Sequence, residues 1–284
     1  MTPLPARLPW DRRPDRDLRG LVVLLTGGAQ GIGRETARRF VAAGAKVTIG
    51  DKDAVLAKQT GEEIGALALP LDVTDVDSWQ DFVAGAASLG APDVLVNNAG
   101  IMPVGPVLEE DPAVARAILD VNVHGVIKGV KAVVPAMVER GRGHVVNIAS
   151  AVGRVPAAGG ATYSASKHAV VGFTESIRQE LAPRGIEVSM VLPSVTRTRL
   201  ATGVPDAGYF PSQSPEQVAE VVVDVVRRPV PEAWAQRWGQ PLERTTGLLP
   251  RKLQDVIIER SDANVLAEVD AAARSSYEAE VRGN

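Results

Sequence analysis

From Leu21 onward, short runs of consecutive aliphatic residues alternate with longer stretches whose apolar positions recur every three or four residues. Unbroken apolar runs suit strands covered on both faces, and the three-to-four period suits amphipathic helices. This pattern predicts strands at Leu21–Leu25, Lys46–Ile49, Ala66–Leu69, Asp93–Val96, His144–Ile148 and Glu187–Val191, with a seventh at Val230–Ala235. It predicts helices at Arg34–Ala43, ending at Gly44, and at Ala54–Ile64, Val76–Ser88, Thr162–Ala182 and Glu216–Arg228. One long helix is expected from Pro112 to about Arg140. Strand–helix alternation implies an α/β fold of parallel βαβ units with right-handed crossovers, helices covering both faces of the sheet.

The regularity weakens after Pro193. Residues 194–213 read as a loop, and the tail reads as helical in two pieces, Arg251–Arg260 and Ala263–Val281, the second rich in Ala and Glu. The expected organisation is a flexible leader over 1–19, one domain over 20–240, and a helical C-terminal extension over 241–284 packed on that domain. The leader holds four prolines, five arginines and three aspartates in its first twenty residues, without the apolar middle of a secretory signal.

Composition narrows the function classes. The 284 residues are 45% apolar and 23% charged, as in an ordered globular chain. A net charge of −3 supplies no field to hold nucleic acid or an anionic membrane, and 4% aromatics are too few for a base-stacking platform. Cysteine is absent, which excludes disulfides, thiolate metal sites and a Cys nucleophile. Three scattered histidines argue against a His-rich metal site, so no metal is expected. No apolar run reaches the length of a transmembrane helix, and a cytoplasmic location is expected.

The first strand runs into Thr26-Gly27-Gly28-Ala29-Gln30-Gly31-Ile32-Gly33 and then into the first helix. Strand, glycine turn and helix together are the setting of a dinucleotide site. Gly27 permits a tight turn, Gly31 lets backbone approach a pyrophosphate, and Gly33 allows close helix–strand packing. The phosphates would sit on the helix N-terminus, where free N–H groups and the dipole favour anions. Asp51 follows the second strand, where a carboxylate can accept from ribose hydroxyls and repel a 2′-phosphate. That favours NAD over NADP, although Arg34 and Lys52 stand nearby. Asp72, after the third strand, could face an adenine amino group.

Tyr163 and Lys167 stand four apart, on one face of a predicted helix. Ser150 lies just past the fifth strand, at the strand end where open α/β sheets bind ligands. Asn122 lies in the long helix, where its amide could anchor a water chain to Lys167. Oxidising an alcohol requires a base for the hydroxyl proton while hydride leaves carbon. A tyrosine with its ordinary pKa of about 10 must fall by roughly 3 units to do this near neutrality. The Lys167 ammonium and a positive nicotinamide ring have the right sign. Ser150 would hold the substrate oxygen.

These residues together resemble the short-chain dehydrogenase/reductase family, in its compact branch. The matching pieces are Thr26–Gly33, Asn97-Asn98-Ala99-Gly100, Asn122, Ser150, and Tyr163 with Lys167, and the likeness covers about residues 20–200. The resemblance implies a Rossmann-type, doubly wound sheet of seven parallel strands in the order 3-2-1-4-5-6-7. It implies a catalytic tetrad of Asn122, Ser150, Tyr163 and Lys167, with Lys167 also on the nicotinamide ribose. Asn98, Ala99 and Gly100 would line the cofactor site, with the main chain of Asn98 near the adenine-side ribose and Asp72 and Val73 on the adenine. Pro193, Thr196 and Thr198 would complete it, Thr198 holding the nicotinamide carboxamide. Ser194 stands where the family usually has glycine, and Thr196 where it usually has an aliphatic residue. A lesser likeness is to members acting on steroids, retinoids and other lipophilic alcohols. Family members commonly form dimers or tetramers through two long helices, here Val114–Val138 and Thr162–Ala182.

The loop after the sixth strand carries Leu200, Val204, Tyr209 and Phe210, and Met102, Val104, Val152 and Val155 lie near the site in sequence. These suggest a hydrophobic alcohol or ketone. Arg154, Arg197 and Arg199 would admit an anionic substrate if they pointed inward. The leading expectation is therefore an NAD-dependent oxidoreductase. The alternatives are a nucleotide-sensing protein on the same fold with catalysis lost, and a membrane-peripheral or scaffold role of the tail.

Overall fold

The computed structural model describes residues 14–205, 212–236, 249–250, 252–253 and 266–282. In chain order the elements are β1 (Val22–Thr26), α1 (Gly31–Ala42), β2 (Lys46–Asp51), α2 (Ala54–Ile64), β3 (Leu67–Pro70) and α3 (Val76–Ala86). Next come β4 (Val94–Asn97), α4 (Pro112–Leu119), α5 (Gly125–Glu139), β5 (Gly143–Ile148) and α6 (Ala161–Leu181). The last are β6 (Ile186–Leu192), α7 (Pro215–Arg227), β7 (Glu232–Trp234) and α8 (Ala271–Arg282). The seven strands form one sheet in the order β3-β2-β1-β4-β5-β6-β7, and every pairing is parallel. The order reverses between β1 and β4, which opens a crevice at their carboxyl ends.

Alternation along each strand sends side chains to two cores. Val23 and Leu25 join Val47, Ile49, Val96 and Val146 under Phe40 of α1 and Val218, Val222 and Val226 of α7. Leu24, Leu95 and Val145 face the other way, onto Trp79 and Phe82 of α3 and Val133 and Met137 of α5. Both faces of the sheet are thus covered, which explains why the strands read as unbroken apolar runs. Local chemistry starts the helices where the sequence places them. Asp53, Asp75 and Asp111 each accept from a backbone N–H of the first turn, and Ser214 forms a capping box with Gln217.

Four expectations change. The helix from Pro112 to Arg140 is two helices, because Asp120–His124 forms a π-helical turn with Asn122 at its centre. The first helix starts at Gly31 rather than Arg34, so the last two glycines of the turn belong to it. Residues 14–19, read as part of a flexible leader, are packed: Leu18 is 3% exposed, Arg16 ion-pairs with Glu187, and Arg228 pairs with Asp15. The final helix begins at Ala271 rather than Ala263, because Asp270 accepts from the Ala272 and Ala273 N–H groups and caps it there. Most of the expected helix Arg251–Arg260, and Tyr209 and Phe210 of the expected lid, lie outside the described residues. Among the described residues, no helix is long and apolar enough to cross a membrane.

Candidate active site

The glycine turn is built by exclusion. Gly27 has φ +67°, and a Cβ there would lie 2.8 Å from Ala99 Cα. A Cβ on Gly33 would lie 2.0 Å from the Gly27 carbonyl oxygen, so no other residue fits this close helix–turn approach. Gly31 has φ +57° and faces the Thr198 methyl, 3.1 Å from its ideal Cβ position. Thr26 and Asn98 stitch β1 to β4. The Thr26 hydroxyl accepts from the Asn98 and Ala99 N–H groups, each at 3.0 Å, and Asn98 Nδ2 donates to the Thr26 and Gly27 carbonyls, also at 3.0 Å. Gln30 stands at the N-cap of α1 but makes no side-chain cap, and Ile32 packs beside the core. The first N–H groups of α1 therefore have no carboxylate or hydroxyl on them, unlike those of α2, α3, α4 and α7. An anion fits that end.

At the carboxyl end of β2, Asp51 accepts from Ala29 N–H at 3.0 Å and from Asp53 N–H at 3.1 Å. Burial pushes its carboxyl above the ordinary carboxylate range, and the backbone donors only partly offset that. Asp72 is engaged locally: its Oδ1 accepts from the Thr74 N–H and hydroxyl, and Lys52 lies 3.5 Å away. Burial opposes ionisation of Asp72, but these partners outweigh it and hold the carboxyl below its usual range. Val73 turns inward, and its carbonyl accepts from Trp79 Nε1.

Ser150, Tyr163 and Lys167 come together past the ends of β5 and β6. Ser150 is 9% exposed, Tyr163 6% and Lys167 5%. Burial pushes the Tyr163 phenol up to about 12, and its hydrogen bond with Ser150 is what pulls against it. Burial brings Lys167 down to about 8; its Nζ donates to the Ile148 carbonyl at 3.0 Å and stands 5.8 Å from the Tyr163 ring centre. The expected depression of Tyr163 is therefore not a property of this chain alone, because desolvation outweighs the Ser150 hydrogen bond. Asn122 is locked from three directions. Its Oδ1 accepts from Ile101 N–H at 2.9 Å, and its Nδ2 donates to the Ile101 carbonyl at 2.9 Å and to Ser166 Oγ at 3.1 Å. Gly100 lies between Asn122 and Lys167: a Cβ there would be 3.2 Å from Asn122 Oδ1 and 3.7 Å from Lys167 Nζ. The π turn aims Asn122 at this point, as such turns often do at functional positions.

The loop after β6 closes the far side. The Pro193 carbonyl accepts from Ala151 N–H at 2.8 Å and from the Ser150 hydroxyl at 3.4 Å. Thr196 is buried, bridges to Gln213 and donates to the Ser194 carbonyl. Thr198 donates to the Thr196 carbonyl, with its methyl over Gly31.

The comparisons agree with this architecture. The family model described as short chain dehydrogenase matches residues 21–207. The chain belongs to the short-chain dehydrogenase family. It is 38% identical over 194 residues to the 2,5-dichloro-2,5-cyclohexadiene-1,4-diol dehydrogenase LinX of Sphingobium indicum, covering 66% of this chain and 78% of that one. It is 41% identical over 192 residues to the 3-alpha-(or 20-beta)-hydroxysteroid dehydrogenase of Mycobacterium tuberculosis, covering 66% and 73%. Among solved structures, the 3-ketoacyl-(acyl-carrier-protein) reductase of Brucella melitensis, complexed with NADH, superposes with a TM-score of 0.71 at 31% identity over 76% of this chain and 96% of that one.

As a short-chain dehydrogenase, the protein is an oxidoreductase of a family that binds a nicotinamide cofactor and acts on CH–OH donors. The glycine cradle and the bare end of α1 are chemically suited to the pyrophosphate of such a cofactor. The residues that sequence reasoning missed lie outside the family-matched stretch. Leu266 packs in one apolar group with Met102, Ala157 and Tyr163, and Arg274 and Tyr277 of α8 reach the Met102 backbone. Arg274, Tyr277, Glu278 and Val281 follow i, i+3, i+4, i+7 spacing, which marks a single helix face. That spacing was the available signal.

Proposed function

We propose that the protein is an NAD(H)-dependent oxidoreductase that moves hydride between the nicotinamide and a neutral, hydrophobic secondary alcohol or ketone, with Tyr163 as general acid and base. The observation that carries this reading is the convergence of Ser150, Tyr163 and Lys167 in a buried cluster at the sheet's carboxyl edge. When bound, the nicotinamide supplies the carbon that gives or takes hydride, and in its oxidised form a positive charge. Ser150 holds the substrate oxygen by a hydrogen bond. In reduction, Tyr163 donates its phenolic proton to the carbonyl oxygen as hydride arrives; in oxidation it takes the hydroxyl proton. Lys167 holds the ribose hydroxyls and lends its charge to the phenolate. Asn122 fixes the Ile101 backbone beside Lys167.

The choice of NAD rests on Asp51, whose anion beside the glycine turn disfavours a 2′-phosphate. The choice of a neutral substrate rests on the arginines. Arg154 pairs with Glu232, Arg197 donates to Ser212, Arg199 has a partner, and Arg274 is taken up by carbonyls and Glu278. Arg154 and Arg274 each have a carboxylate partner, Glu232 and Glu278, so these two draw no anion into the site. The apolar group of Met102, Ala157 and Leu266, with Val104, Val152, Leu200 and Val204 beside it, supplies the wall. We further propose one domain that takes in the packed residues 14–19 and runs to about 240, and a homodimer or homotetramer through α4–α5 and α6.

The test is absorbance at 340 nm, offering NAD⁺ and NADP⁺ with small, aliphatic, aromatic and steroid-like secondary alcohols. Turnover with NAD⁺ on the apolar members supports the reading. NADH binding with no turnover on any member contradicts it and favours a nucleotide-sensing role.

A further inference from the structure

The C-terminal segment does more than follow the fold. Three glycines make room for it. A Cβ on Gly159 would lie 2.4 Å from the Leu266 carbonyl oxygen, and one on Gly160 2.7 Å from Leu266 Cδ1. Both glycines sit just ahead of α6, the helix that carries Tyr163. A Cβ on Gly203 would lie 2.7 Å from the Asp270 carbonyl oxygen and 3.0 Å from Arg274 Cγ, and the Gly203 carbonyl accepts from Asp270 N–H at 2.9 Å. The tail thus lies backbone-to-backbone on two loops at the catalytic end.

One side chain ties these loops together. Arg274 is 1% exposed. Its Nη1 donates to the Leu200 carbonyl at 3.0 Å and the Thr202 carbonyl at 2.9 Å, both in the loop after β6. Its Nη2 donates to the Met102 carbonyl in the loop after β4, and its Nε pairs with Glu278 at 3.1 Å. Its guanidinium also lies over the Tyr277 ring, 4.8 Å from the ring centre. The Tyr277 hydroxyl accepts from Met102 N–H at 2.7 Å, so Met102 is held at both its N–H and its carbonyl by α8. Glu278 accepts from Val104 N–H at 3.5 Å, and Gly105 N–H donates to the Gly159 carbonyl at 2.7 Å. A planar guanidinium with five donors is the side chain able to satisfy several carbonyls on two loops at once.

We propose that the tail from Leu266 to Val281 is a wall of the substrate site, in which Leu266 determines specificity and Arg274 is the positioning residue that clasps the loops after β4 and β6. This rests on the oxidoreductase reading above. Leu266 occupies the apolar space against Tyr163, Met102 and Ala157 that a bulkier substrate would need. Arg274 acts through Met102 and the Leu200–Thr202 carbonyls and leaves the reacting atoms to others.

The experiment has two arms on the full chain, hydrogen exchange with NADH bound and alcohol oxidation with saturating NAD⁺. Amide hydrogen exchange of peptides spanning 101–105 and 199–204 is compared between wild type, Arg274→Ala and Arg274→Lys. The clasp predicts faster exchange at Met102 in Arg274→Ala and only partial recovery in Arg274→Lys; unchanged exchange in Arg274→Ala overturns it. The second arm measures kcat/KM for cyclohexanol and for a fused-ring secondary alcohol in wild type and Leu266→Ala. The expected result is a shift of the ratio toward the larger alcohol by about tenfold or more, the scale at which one or more methylenes in a pocket discriminate. NADH affinity should be unchanged. A ratio within about twofold of wild type, with turnover intact, overturns the specificity role. If wild type oxidises neither alcohol nor any panel member, the oxidoreductase reading fails, and hydrogen exchange alone decides the clasp.

Discussion

His144 is a buried imidazole whose ionisation should limit the acid stability of the fold. It sits in β5, fully covered, with Nε2 at 2.8 Å from Ser189 Oγ and Nδ1 at 3.4 Å from Arg16 Nη1. Arg16 is itself paired with Glu187. A guanidinium can only donate, so Nδ1 must accept and Nε2–H must donate to Ser189: the geometry demands neutral imidazole. Burial and then the Arg16 charge lower its pKa from 6.5 to about 3. The sign follows from proton binding. Above pH 6.5 neither the folded nor the unfolded state protonates this group, and its contribution is constant. Between 6.5 and about 3, the unfolded chain binds a proton that the native state refuses, so stability falls by about 1.4 kcal/mol per pH unit. Across the whole window the loss is about 5 kcal/mol, comparable to the entire stability of many domains. Urea unfolding followed by circular dichroism at pH 7, 6, 5 and 4 reads the slope, and His144→Gln should flatten it by about one proton while keeping a donor for Ser189. The reasoning is refuted if wild type and His144→Gln share the same acid slope. It is equally refuted if the His144 ring resonance titrates near 6.5 in the native protein.

Other consequences are directly measurable. Gly33→Ala places a Cβ 2.0 Å from the Gly27 carbonyl, so calorimetry should show a melting temperature lowered by at least the equivalent of about 1–3 kcal/mol, and NADH titration should show lost binding. Asp51→Asn keeps an acceptor for the turn but removes the charge, so the NADPH-to-NADH affinity ratio should rise by about tenfold or more; an unchanged ratio removes Asp51 from cofactor choice. With Tyr163 near 12 in the free protein, ultraviolet difference titration of wild type against Tyr163→Phe should show no Tyr163 ionisation below about pH 11. For the same reason, alcohol oxidation should accelerate as pH rises toward the pKa of the cofactor complex, while carbonyl reduction should not.

The first six strands were legible because a fully buried parallel sheet leaves unbroken apolar runs, bounded by residues that cap the next helix, such as Asp53, Asp75 and Asp111. The turn at Gly27–Gly33 and the pairing of Tyr163 with Lys167 were legible because each is set by local spacing. The π turn around Asn122 was not. It exchanges no residue type or period for another; it is held by tertiary bonds from Asn122 to Ile101 and Ser166. The sign of the Tyr163 shift was also hidden, because it depends on burial contributed by distant segments such as Leu266. Residues 14–19 looked like a solvated leader from their prolines and charges, yet Leu18 and Arg16 find partners far along the chain. Arg274 illustrates the same limit: its spacing with Tyr277, Glu278 and Val281 marks a helix face, but nothing local shows that two loops present it with three carbonyls.

The proposed function stands on Tyr163 carrying the proton in a hydride transfer whose cofactor is held by the glycine cradle. The measurement that meets it most directly pairs NADH titration by fluorescence with turnover at 340 nm in wild type and Tyr163→Phe. The expected result is NADH affinity within about threefold of wild type and kcat lowered by about a hundredfold or more, the range for losing a general acid–base. Retained turnover in Tyr163→Phe would contradict it.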